Sequence, residues 1–107
     1  MLEIPLPEMI KVGGFNYTIK VDAENDTLLT DNDSWGEHSG RQRVLRILST
    51  APEQQFSKTF IHEVLHAIDM VYQSNKLNDE EVSAISNGLL QVLEELGIRF
   101  VKVIKCV

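Results

Sequence analysis

The spacing of apolar residues changes several times along this chain, and each change predicts an element. In IKVGGFNYTIKV (residues 10–21) Phe15, Tyr17, Ile19 and Val21 alternate with polar neighbours, the period of a strand with one buried face. Gly13-Gly14 supplies a tight turn before them, so the segment is expected to form a short hairpin. DAENDTLLTDNDSWGEHSG (residues 22–40) is polar and rich in turn formers, which predicts a long loop around a weak strand. RVLRIL (residues 43–48) is rich in branched apolar residues and predicts another strand.

The period then becomes helical. Thr50-Ala51-Pro52-Glu53 reads as a capping box with proline in the first turn, and the pattern continues to about Gln73. Phe60, Ile61, Val64, Leu65, Ala67, Ile68 and Val71 share one side of this helix. SNKLND (residues 74–79) breaks the pattern. A second helix follows from about Asp79 to Leu96, stopped by Gly97, with a capping box from Asn78 to Glu81. Its apolar stripe, Val82, Ile85, Leu89, Val92, Leu93 and Leu96, is expected to pack the core. IRFVKVIKCV (residues 98–107) is basic, apolar and compatible with a strand.

Composition narrows the setting. A chain of 107 residues suits one domain, residues 1–107, with 43% hydrophobic and 24% charged residues, a soluble globular balance. No apolar run reaches the roughly 18 residues that span a membrane. The N-terminus lacks the basic and apolar regions of a secretory signal, and the single cysteine, Cys106, cannot form an internal disulfide. A cytoplasmic location is expected. The formal net charge is −6, and RQRVLR (residues 41–46) is the densest basic stretch, so nucleic acid and membrane are not expected partners. The sequence does not set an oligomeric state.

The chemistry concentrates in HEVLH, residues 62–66. On a helix His66 lies about 40° from His62, one turn on, and Glu63 about 100° away. Both imidazoles can therefore reach one tetrahedral zinc, while Glu63 stands beside them as a base for water bound to that metal. The two histidines face away from the apolar side of the helix. A chance HExxH in a chain this short is expected on the order of once in several hundred proteins.

Two histidines leave zinc short of a ligand, and no third histidine follows His66 at metal-binding spacing. The second helix offers Asp79, Glu80 and Glu81. Glu80 lies about 160° from the centre of the apolar stripe, in line with Ser83, Ala84 and Asn87, a small polar face able to approach the first helix. Glu80 is therefore the preferred third ligand, with Glu81 and Asp79 as alternatives. Asp69 either orients a ligand histidine or is a solvated aspartate. His38, Tyr17 and Tyr72 are candidate oxyanion donors that spacing does not separate, and Trp35 reads as a local packing residue.

Residues 59–93, TFIHEVLHAIDMVYQSNKLNDEEVSAISNGLLQVL, resemble the small gluzincin-like HExxH zinc metallopeptidases, the ImmA/IrrE type and their phage-borne relatives. That resemblance implies an α+β, zincin-like fold: a short N-terminal antiparallel sheet, an HExxH helix and a second ligand-bearing helix. It also implies Zn2+ as cofactor and hydrolysis of a peptide or protein substrate, with zinc-bound water activated by Glu63. The strand RVLRIL would be the edge against which an extended substrate pairs. The alternative is a catalytically silent zincin-fold domain that binds metal or another protein.

Overall fold

The computed structural model describes residues 1–102; Cys106 and the rest of the tail lie outside the described residues. Strands β1 (Leu2–Pro5), β2 (Met9–Val12) and β3 (Phe15–Lys20) come first. β2 and β3 form the expected hairpin, with Val12 opposite Phe15 and Gly13 turning the chain at φ +61°. A side chain there would also come within 2.5 Å of Val71 Cγ1, so the turn needs glycine twice over.

The next segment departs from the loop expected over residues 22–40. It contains α1 (Ala23–Asp31) and β4 (Gly36–Ser39) before β5 (Val44–Ile47). α1 has Leu29 as its only buried apolar residue, so there was no helical stripe to read. Polar bonds hold it instead. Asp22 caps it by accepting from Asn25 N at 2.9 Å, Asn25 Oδ1 accepts from Arg46 Nε at 2.7 Å, and Asp26 accepts from Ser49 N at 2.8 Å.

The helix also changes the sheet. With α1 and β4 between them, β5 returns parallel to β3, giving a mixed sheet in the order β2-β3-β5-β4 rather than an antiparallel one. β5, the RVLRIL strand, is therefore interior and not an edge; the edges are β2 and β4. Tyr17, Ile19, Leu45 and Ile47 supply the buried face of this sheet.

Two helices follow, α2 (Glu53–Gln73) and α3 (Asp79–Glu95), and then β6 (Ile98–Val101), which pairs parallel with β1. α2 lays Phe56, Phe60 and Ala67 on the sheet and contacts β4, β5, β6 and α3. Its start differs from expectation: Pro52 is the N-cap, and Thr50 makes no capping bond. A helix begun at Thr50 would put Ala51 in helical conformation directly before proline, which the ring disfavours. Glu53 pairs instead with Arg99 at 3.1 Å. The capping box of Asn78 and Glu81 forms as expected.

α3 is rotated relative to expectation. It buries Val82, Ser86 and Leu90, while Ile85, Leu89, Val92 and Leu96 are exposed. The loop before it is held in place. Asp69 is buried at the end of α2 and accepts from Gln73 Nε2 and from the backbone N–H groups of Lys76 and Leu77, at 3.1 Å each. Neither expected role for Asp69 applies; it fastens the α2–α3 turn. No helix of the described residues is long and apolar enough to cross a membrane.

Candidate metal centre

The histidines of HEVLH project from α2 toward β4 and α3. His62 Nε2 and His66 Nε2 are 3.1 Å apart, with the rings edge-on at 71°. Behind His62, Ser86 Oγ sits 3.3 Å from Nδ1 and 2.5 Å from Val82 O. The serine proton goes to the Val82 carbonyl, so Oγ accepts from His62 Nδ1–H and the Nε2 lone pair is left facing His66. Burial, and after it the neighbouring His66, lower the pKa of His62, which keeps the ring in the neutral form that binds metals.

The α3 terminus completes this side. Asp79 Oδ1 lies 3.4 Å from His66 Nε2. Glu80, one residue on, is about 100° further round the helix and exposed; among the described residues it makes no ion pair with either histidine. Glu81 uses one carboxylate oxygen, Oε1, in its capping box with Asn78.

Glu63 is 6% exposed and shares the group, with the candidate donor atoms of His62, Glu63 and His66 all within 4.8 Å of one another. Its pKa is pushed up to about 8, mainly by burial and then by the negative charges of Glu37 and Asp79. β4 makes the wall opposite. Gly36 comes so close to α2 that a Cβ would meet Thr59 Cγ2 and stand 2.8 Å from Arg46 O and 3.2 Å from Glu63 Oε2. The strand can approach only as glycine.

Two positions along β4, His38 faces the same space. Its ring lies parallel to that of His66, centroids 6.3 Å apart, and the hydroxyl of the fully buried Tyr17 is 3.2 Å from its Nε2. Burial first, and His66 second, lower its pKa. Of the three oxyanion candidates the structure brings together His38 and, behind it, Tyr17. Tyr72 is exposed beside Gly13, on the hairpin side. Trp35, expected to pack locally, is half exposed and lines a cavity of about 310 Å³ with Lys58, His62 and Glu63.

The residues that sequence reasoning missed here are Gly36, Glu37 and Ser86. In GEHSG a four-residue strand that begins on one glycine and ends before another gives too few alternating positions to show a period, and Ser86 shows its role only once α3 is seated.

The donor set fits a zinc ion. Two nitrogens bound tetrahedrally at about 2.0–2.1 Å lie roughly 3.3 Å apart, close to the observed separation of the two Nε2 atoms. Comparison with family models, with curated proteins and with solved structures returned no match. The functional reading rests on the residues themselves.

Proposed function

We propose that this chain is a zinc-dependent metallopeptidase with a zincin-like arrangement, acting on a peptide or protein substrate. The observation that carries the reading is the pair of imidazole nitrogens 3.1 Å apart beside a buried carboxyl. His62 and His66 would hold the metal. For the third ligand we favour Asp79 over Glu80, because Asp79 Oδ1 lies 3.4 Å from His66 Nε2 while Glu80 is exposed and, among the described residues, pairs with neither histidine.

Zinc, when bound, would polarise the scissile carbonyl and acidify the attacking water. The chain's own residues do the rest. In the metal-free chain burial holds a proton on Glu63; a cation bound beside it would favour the carboxylate, the form that takes a proton from water and passes it to the leaving amine. His38, steadied by Tyr17, donates toward the oxygen on which negative charge develops. Among the described residues β4 is paired on one side only, by β5, so an extended substrate can add to it as a further strand.

The test has two parts. Elemental analysis of the purified protein is expected to find about one zinc per chain, lost in His62→Ala. Glu63→Gln should keep the metal and lose peptide hydrolysis by a factor of about 100 or more. Zinc bound by the unaltered chain without any hydrolysis would overturn the enzyme reading and leave a metal-binding domain. Absence of zinc uptake would overturn both.

A further inference from the structure

The rotation of α3 leaves a ridge on the surface. Ile85, Leu89, Val92 and Leu96 are 46%, 40%, 55% and 68% exposed. Their spacing of four, three and four residues keeps them within a band about 60° wide and roughly 16 Å long. Soluble domains rarely leave contiguous apolar surface beyond a few hundred Å² uncovered, and patches that persist tend to be contact sites. Gly88 lies beside the ridge, and nothing comes within 4 Å of the place a Cβ would occupy there. A second backbone can therefore approach closely.

Charge selects the occupant. Between Lys76 and Arg99 the chain has no basic residue, while Glu81 and Glu95 stand on one flank of the ridge, near its two ends. Arg99 is already engaged by Glu94 and Glu53. A second copy of this chain packed antiparallel on the same face would set Glu81 against Glu95, and a parallel copy, whose α3 has no basic residue, would bring neither carboxylate a counter-charge. We propose that the ridge docks a cationic amphipathic helix of another polypeptide. Apolar residues of that helix, at similar spacing, cover the ridge, and its lysines or arginines meet Glu81 and Glu95. Ser83, which lines the cavity with His62 and Glu63, and Asn87, which lines a cavity against the first half of α2, lie roughly half a turn away. Docking therefore leaves the cleft open, and the inference is independent of the peptidase reading.

The probe is a fluorescent synthetic helix of about four turns, with leucines at matching spacing and lysines alongside. Controls are a scrambled sequence and a version with glutamate for lysine. Saturable binding is expected for the lysine peptide only, at least about tenfold weaker to Leu89→Ser and to Val92→Ser. Circular dichroism should show both variants folded, since neither side chain is buried. Equal binding to the variants, or no saturable binding by the unaltered chain, overturns the proposal. So does a dimer in sedimentation that Leu89→Ser dissolves, which would make the second copy the occupant.

Discussion

Helices α2 and α3 are both amphipathic by sequence, yet α2 buries or half-buries its expected face apart from Ile68, while α3 leaves most of its own exposed. α2 meets an apolar sheet and lays Phe56, Phe60 and Ala67 against it. α3 meets the polar edge of α2, where His62 needs a small hydroxyl beside Nδ1, and so buries Ser86 between Val82 and Leu90. Hydrophobic patterning identified both helices. The neighbour then decided which face each one buried.

The comparison can be tested by substitution. Phe60→Ala on α2 should have the largest effect, about 3–5 kcal/mol of lost stability, measured by urea unfolding. An equal loss from Leu89→Ala would mean that the α3 ridge is in fact covered.

The buried polar groups of the two helices should differ as well. In metal-free protein the raised pKa of Glu63 means that the folded state holds a proton which the unfolded chain releases above about 4.5. Its contribution is complete below that value and is lost as pH rises toward about 8. Glu63→Gln removes this dependence, so in chelator the variant should gain on the unaltered chain by a few kcal/mol between pH 5 and pH 9. Identical pH dependence of the two urea midpoints would show that Glu63 is solvated.

On α3 the corresponding change is Ser86→Leu. It forces a large side chain against α2 and should cost about 1–3 kcal/mol while displacing His62, which weakened zinc uptake would report. Leu89→Ala should have the smallest effect, about 1 kcal/mol or less.

Much of the fold was legible in the sequence because most of its elements are periodic. The β2–β3 turn at Gly13, the extent of α2 and the Asn78 cap of α3 all follow from local patterning. α1 was not legible, since its partners Arg46 and Ser49 lie more than twenty residues away and bind through polar atoms. At the centre, His62, Glu63 and His66 are one turn of one helix, so their grouping is local. Asp79 and His38 come from other elements, and only the fastened α2–α3 turn and the close approach of Gly36 bring them near. Choosing among Asp79, Glu80 and Glu81 required the axial rotation of α3, which no property of α3 alone determines.

The parallel pairing of β1 with β6 has a consequence for the order of assembly. Residues 2–5 and 98–101 are nearly the whole described chain apart, whereas the α2–α3 pair is built from contacts a few tens of residues apart at most. Closing a long loop costs entropy before its contacts repay it. The two histidines, Ser86 and Asp79 are therefore expected to gather early, and the β1–β6 ladder to close last. Pulse-labelled hydrogen exchange would show late protection at Leu2 and Leu6, whose amides bond across to Gly97 and Val101. The hairpin of helices is then the kinetic seed of the molecule, and the side chains proposed to hold zinc would be gathered before the ladder closes.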